Sequence, residues 1–372
     1  MIDWAGGAIV PAKAVSLPQN DAPAKCPMVK MTEIRNPSDK NMKLTLLFPG
    51  LSWLDAHDGG EVSKSLPLPA LQQLLGKGRL SRREQTLSAC VGRLWGGAPA
   101  GLAGLAASQA GLAGEGEWLF ADPVHLRVDR DRALLADVGV MQIAMDEAQA
   151  LIDALNRHFG EDGLAFHPLR PGRWLLNVQQ PLAASFDPLW DVVGEDINRH
   201  LPQGEHGLAW SRMLNELQML LYTQPLNDER ELRGDLAINS VWLWGEGSAP
   251  AWSAPAPSLL ADDETLALLA MRSGMAVDSA PFAFDGLPLD GDCLLMLDAL
   301  QAAAQYRDAW GWREGLQRLE RDWFAPLLRA VRQRRITELN LIATGPAGFE
   351  LQVKPADLWK FWKRALPLAA LY

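Results

Sequence analysis

The sequence predicts an α/β protein: a core sheet flanked by helices, drawn from both ends of the chain, carrying an inserted smaller α+β part. Three observations point there. Short apolar runs alternate with amphipathic helical patterns at both chain ends. The middle, residues 116–235, has hairpins and helices of its own. The length of 372 residues suits two compact parts better than one.

The elements follow in order. Residues 1–41 carry proline, lysine and polar residues without sustained periodicity, and Asp3 sits where a signal peptide carries positive charge. They are expected to be disordered, or to be translated sequence upstream of the natural start. Residues 42–372 form the folded region. It opens with MKLTLLFPG, an apolar run stopped by Pro-Gly that reads as a buried strand over 43–50. Helical patterns cover 69–75 and 82–94. WLFADPVHLRVDRDRALLADVG, from Trp118, begins as a strand and turns at its charged DRDR corner. MDEAQALIDALNRHFG leads with acidic residues, closes with basic ones and stops at Gly160, the signature of an amphipathic helix. LAFHPLRPGRWLLNV is a hairpin turning at RPG. DPLWDVVGEDINRHL and LAWSRMLNELQMLLY predict two more helices. TQPLNDERELRGDLA is expected to be a loop, leading into the strand INSVWLWGEG and a proline-rich loop. A helix over 262–271 and the strand CLLMLDAL come next. Trp312, Leu316, Leu319, Trp323, Leu327 and Val331 share one face of a long helix that Pro326 kinks. ELNLIATG pairs with GFELQVK, and PADLWKFWKR closes the chain as a helix with Pro355 near its start.

Composition excludes several classes. A net charge of −10 opposes sequence-independent binding to nucleic acid, which works by neutralising phosphates. The short basic cluster RQRR reads as a solvated helix end. Cys26, Cys90 and Cys293 are scattered, which argues against a disulfide framework or a structural zinc site and fits a reducing cytoplasm. The longest uncharged run is too glycine-rich for a membrane span, so no membrane partner is expected. Many of the fifteen tryptophans are expected to anchor the core. The six histidines end at His206, which excludes a histidine metal site built on the C-terminal strand ends. P-loop, GxSxG, HExxH and GxGxxG motifs are absent.

INSVWLWGEG is the most unusual stretch. As a strand it sends Val241 and Leu243 to one side and Trp242 and Trp244 to the other, and its glycines permit a sharp turn or a close approach to a ligand. The preceding Asn227, Arg230 and Arg233, with Asn239 on the strand, can be read as a cradle for an anion, with arginines as bidentate donors. The simpler reading is a solvated arginine loop beside a strand with two core tryptophans. His125, Asp129 and Arg130 form a second polar cluster, in ADPVHLRVDRD.

QPLNDERELRGDLAINSVWLWGEG resembles a segment of the archaeal-type cofactor-independent phosphoglycerate mutases, with Gln224, Ile238 and Glu246 where that pattern has histidine, alanine and glutamine. ADPVHLRVDRD, FHPLRPGRWLL, NELQMLLYTQPLN and LWKFWKR are similar to the proteobacterial family called regulatory protein, RpfE type, from Met42 to the end. The resemblance implies an alkaline-phosphatase-like core with a second domain, and in the mutases a site with two metal ions and a serine nucleophile. Here Pro49 is followed directly by Gly50, where the mutase pattern has a metal-binding aspartate. Ala343 and Thr344 stand where the mutase's late strand ends in Asp-His. Two-metal phosphoryl transfer needs ligands that hold ions about 3.5–4 Å apart. The expected chemistry is therefore a degenerate site with no cofactor and no metal pair, binding a small phosphorylated or anionic ligand in a regulatory role.

Two alternatives stand beside it. A divergent mutase or phosphohydrolase would rebuild a site for Mg²⁺ or Mn²⁺ from Asp55, Asp58, Asp285, Asp290 and Asp292. A scaffold for a protein partner would expose Trp252, Trp359 and Trp362.

Overall fold

The computed structural model describes residues 42–372, except 56, 113–114 and 130–131, and for 128, 129 and 132 the backbone alone. The expectation for residues 1–41 lies outside the described residues. Among the described residues there are twelve strands: β1 (Met42–Phe48), β2 (Arg79–Arg82), β3 (Glu117–Asp129), β4 (Arg132–Ala136), β5 (Leu164–Arg170), β6 (Arg173–Val178), β7 (Ser240–Trp244), β8 (Ser258–Leu260), β9 (Ala276–Asp278), β10 (Cys293–Met296), β11 (Ile336–Ala343) and β12 (Phe349–Val353). They form two sheets. The first runs β2-β12-β11-β1-β10-β8-β9, and the second β4-β3-β6-β5 with β7 added along β3.

β1 is central to the first sheet, parallel to β10 on one side and to β11 on the other. β8 and β9 continue the parallel set, while β12 and β2 close the far side antiparallel. Strands buried on both faces read as continuous apolar runs, and the end of MKLTLLF, Leu46 to Phe48, does so, while Lys43 near its start is exposed. Its pleat divides two cores. Leu44, Leu46 and Phe48 pack with Trp312, Leu316, Trp323 and Leu327 on one face. Leu47 packs on the other with Trp95, Phe120, Trp242 and Trp244, so the inserted sheet shares a core with that face. The strands of the second sheet extend to Trp244, beyond the interval 116–235 read from the sequence. β7 is buried along its whole length, and Trp95, Trp174, Trp244, Trp312 and Trp323 are among the largest fully buried side chains.

Four local expectations need correction. TQPLNDERELRGDLA is mostly helical, Pro225–Arg233, with proline in its first turn and Gly234 at φ 84° closing it. Its apolar content is too low to show a helical period, and polar anchors described below hold it instead. DPLWDVVGEDINRHL breaks into the short turns Leu189–Val192 and Ile197–Arg199. PADLWKFWKR keeps only one tight turn, Pro355–Trp359. The long helix does not simply kink at Pro326: a π-helical stretch, Glu320–Phe324, precedes Ala325–Arg332. Glu320, turned inward there, accepts Ala70 N (2.6 Å) and Leu71 N (3.1 Å) at the start of helix Pro69–Lys77.

The exit from β7 answers the question raised by its glycines. Gly245 has φ 80°, and a Cβ there would lie 2.8 Å from the Phe120 ring. Replacing Gly245 with alanine is expected to destabilise the protein by about 1–3 kcal/mol, read as an earlier urea midpoint at unchanged m value.

Candidate functional site

The parallel strands β8, β10 and β1 all end at one edge of the first sheet. In open α/β sheets this carboxyl edge is where ligands bind. A cavity of about 290 Å³ lies between it and the inserted sheet, and it adjoins a more open hollow of about 510 Å³. The turn after β8 contributes Asp262 and Asp263, and the turn after β10 contributes Asp298. The inserted sheet contributes Asp122 from β3 and Arg170 and Arg173 from the tip of the β5–β6 hairpin.

Asp122 is the most constrained of these groups. It is buried, and Trp244 Nε1 donates to its Oδ2 at 2.8 Å. Arg173 Nε lies 2.8 Å from its Oδ1, but the two are not aligned as a hydrogen bond, so both atoms keep unspent hydrogen-bonding capacity beside the cavity. Burial pushes the Asp122 carboxyl up to about 6, against the opposing pull of Arg173 and the Trp244 indole. Arg173 donates through Nη1 to Thr265 Oγ1 at 2.9 Å, and its guanidinium lies 4.6 Å from the Phe120 ring centre and 5.5 Å from that of Trp244. Arg170 is exposed and pairs with Glu264.

The cleft's acids are differently placed. Asp263 accepts Leu266 N at 2.6 Å, capping the helix Glu264–Arg272, and accepts Trp190 Nε1 at 3.1 Å. Partial desolvation, then the neighbouring charges of Asp262 and Asp263, raise the Asp298 carboxyl. The Tyr306 hydroxyl donates to Asp137 Oδ1 at 2.6 Å, and burial shifts it well above an ordinary phenol.

The tips of the two central strands are closed by packing. Gly50 has φ 77°, and a Cβ there would sit 2.7 Å from Gln301 N and Cα. Its carbonyl accepts the buried Trp312 indole N–H at 2.7 Å. Past β11, Thr344 is buried, and Gly345 N donates to Gln85 O at 2.8 Å.

The residues singled out from the sequence gather elsewhere, around the start of β7. Asn227 donates to Leu221 O (2.8 Å) and Ile238 O (3.0 Å) and accepts Ile238 N (2.7 Å). Asn239 accepts Leu126 N (2.7 Å) and donates to Leu126 O (3.0 Å), extending the β3–β7 ladder with a side chain. His125 Nδ1 lies 2.8 Å from Ala237 O. Arg230, fully buried, reaches Glu147 Oε2 (2.5 Å), Leu236 O (2.8 Å) and Gln142 O (2.8 Å). Arg233 holds the other oxygen of Glu147 (2.5 Å) and Asp235 (3.1 Å). Asp129 ends β3, and Arg130 lies outside the described residues. Five of the seven are thus brought together, with the polypeptide as their partner.

The carboxylates weighed for Mg²⁺ or Mn²⁺ are dispersed. Asp290 and Asp292 lie just before β10, at the edge opposite the cleft, and Asp292 accepts Lys43 N at 2.7 Å. Asp55 accepts His57 N at 2.9 Å, and Asp58 accepts Trp53 Nε1 at 2.6 Å. Asp285 is exposed in a tight turn. Among the described residues no three His, Cys, Asp or Glu side chains converge in a metal-holding group.

Sequence reading missed Arg170 and Arg173 as a pair. The signal was the RPGR turn, which places one arginine on each arm of a hairpin. Asp298 lies in CLLMLDAL, which was read as a strand, whereas the short strand β8 before Asp262 and Asp263 was read as part of a proline-rich loop.

The chain is similar to phosphoglycerate mutases. It is 31% identical over 159 residues to the 2,3-bisphosphoglycerate-independent phosphoglycerate mutase of Methanosarcina mazei, covering 41% of this chain and 39% of that protein. The enzyme of the same name from Methanosarcina barkeri is 32% identical over 158 residues, covering 41% and 38%. The probable counterpart from Geobacter sulfurreducens is 30% identical over 128 residues, covering 34% and 32%. The matched stretch therefore spans well under half the length of these relatives. No family model matches the chain. Among solved structures, a cofactor-independent phosphoglycerate mutase from Thermoplasma acidophilum superposes with a TM-score of 0.40 at 13% identity, covering 89% of this chain and 95% of that one. A Pyrococcus horikoshii protein gives 0.44 at 14% identity, covering 85% and 88%.

Two outcomes test the electrostatics. Arg230→Met leaves Glu147 with Arg233 alone and strips the Leu236 and Gln142 carbonyls of their donor, and is expected to cost about 3–5 kcal/mol in urea unfolding. Asp122 titrates higher when folded than when unfolded, so the folded state binds its proton more tightly. Its contribution to stability is thus greatest in acid and falls as pH rises from the ordinary 3.8 to about 6. Relative to Asp122→Asn, the parent protein is expected to lose up to about 3 kcal/mol across that window, measured by urea titration at stepped pH.

Proposed function

We propose that this is a phosphoglycerate-mutase-like protein whose cleft binds a small phosphorylated or anionic ligand through Arg170 and Arg173, without two-metal phosphoryl transfer. The observation that carries this reading is the tip of β1. Position 50 has no room for a side chain against Gln301, so the central strand cannot present a carboxylate to a metal there. The buried Thr344 at the tip of β11 and the dispersed aspartates support the same reading. The residues present do not fit a two-metal centre.

Recognition falls to the hairpin arginines because their geometry leaves them available. Arg170 is exposed and tied only to the exposed Glu264, a pair of small stabilising value. Arg173 pairs through Nε with Asp122 and gives Nη1 to Thr265, so Nη2 is the donor it can turn to a ligand. A phosphate or carboxylate entering the cleft can take charge-assisted hydrogen bonds from both. Arg230 and Arg233, by contrast, spend their donors on Glu147 and its neighbours, so their role in this reading is to hold helix Pro225–Arg233 and β7 in place. A regulatory role would follow from occupancy of this cleft by such a ligand.

A second reading is a divergent metal-dependent mutase or phosphohydrolase. The activity carried in the relatives' names and the carboxylates Asp262, Asp263 and Asp298 at the strand ends favour it.

Calorimetric titration of the full chain with 3-phosphoglycerate and with inorganic phosphate tests the binding site. Arg170→Gln is expected to weaken binding about tenfold or more, with an unchanged unfolding midpoint. An unaltered affinity in that variant would remove the cleft from the proposal.

A further inference from the structure

The segment following β12 carries exposed aromatic side chains that the cleft does not use. Trp359 is 80% exposed, Phe361 88% and Trp362 66%. The last two rings meet edge to face at 5.2 Å, so they protrude as one unit. Trp252, in contrast, is half-buried and donates to Ala98 O. Clustered exposed aromatics of this size mark an interaction surface.

The surrounding charge is opposite in sign to that of the chain. Lys354, Lys360, Lys363 and Arg364 lie in the same segment, and the end of helix Pro69–Lys77 adds Lys77. Lys77 Nζ donates to Lys360 O at 2.5 Å and Lys363 Nζ to Gly78 O at 2.9 Å, so the segment is stitched to that helix end. Two of these basic side chains are ion-paired, Lys360 with Asp357 and Lys354 with Glu338, which leaves Lys77, Lys363 and Arg364 as the surplus positive charge. A cationic, aromatic island thus stands on a protein of net charge −10.

We propose that this surface docks the protein peripherally on an anionic lipid surface, with Trp359, Phe361 and Trp362 entering the headgroup region and the basic side chains facing lipid phosphates. Tryptophan and phenylalanine beside lysine and arginine is the composition of interfacial anchors, and basic residues add attraction to anionic leaflets. Single-stranded nucleic acid fits less well. It stacks its bases along a positively charged groove, whereas Trp359, Phe361 and Trp362 protrude from a chain of net charge −10. The expectation of no membrane partner came from the lack of a spanning segment, and no helix among the described residues is long and apolar enough to cross a membrane. Peripheral docking requires none.

The test is co-sedimentation of the full chain with vesicles of phosphatidylglycerol and phosphatidylcholine in equal parts, against phosphatidylcholine alone, with tryptophan emission as a second readout. The expected result is binding to the anionic vesicles only, a blue shift on binding, weakening by salt, and at least about tenfold loss in Trp359→Ala/Phe361→Ala/Trp362→Ala. Arg364→Glu, which leaves the aromatic rings in place, is expected to weaken binding to anionic vesicles as well. No binding to anionic vesicles, or binding undiminished in the triple variant, overturns the proposal. Tight binding to a labelled oligothymidylate without vesicle binding overturns it in favour of nucleic acid.

Discussion

The contact on which the cleft depends is Gly50 against the backbone of Leu300 and Gln301. β1 is the central strand, and the end of a central parallel strand is where an α/β sheet normally offers its chemistry. Here that end turns at a left-handed glycine, gives its carbonyl to a buried indole and packs on main-chain atoms. The same contact joins β1 to the turn that follows β10 and so fixes where Asp298 stands. With the strand tip closed, the polar groups that can meet a ligand are those on the cleft's flanks.

Those flanks differ in character. On the sheet side, Asp262, Asp263 and Asp298 face solvent or cap a helix. On the inserted side, Arg173 and Asp122 sit among Phe120 and Trp244 in a low-dielectric wall, where an imperfectly aligned pair is costly and a ligand that completes it gains more than it would in water. INSVWLWGEG connects the two ends of this design. Its C-terminal Trp244 supplies the wall of the cleft, while its N-terminal approach is clamped by Asn227, Asn239 and His125.

Much of the fold was legible because it rests on apolar periodicity. MKLTLLF, the β5–β6 hairpin, the pairing of β11 with β12 and the buried face from Trp312 to Val331 all follow from pattern alone. Helix Pro225–Arg233 was not, because a helix held by a buried arginine and an asparagine shows no apolar stripe. The site was legible only in part. Arginine and asparagine look alike in sequence whether they serve a ligand or the chain's own carbonyls. The distinction lies in distant partners such as Glu147 and Gln142, 83 and 88 positions from Arg230. Arg170 and Arg173 face the cleft because the β5–β6 hairpin reaches across to the other sheet, and no local pattern encodes that reach.

The central claim is that the closed tip of β1 leaves no two-metal centre. The most direct measurement is titration of the metal-stripped full chain with Mn²⁺, followed by electron paramagnetic resonance, with a phosphoglycerate mutase assay on the same samples. The account predicts no tightly bound manganese pair and no metal-dependent turnover. A spin-coupled pair of ions accompanied by mutase activity would contradict it.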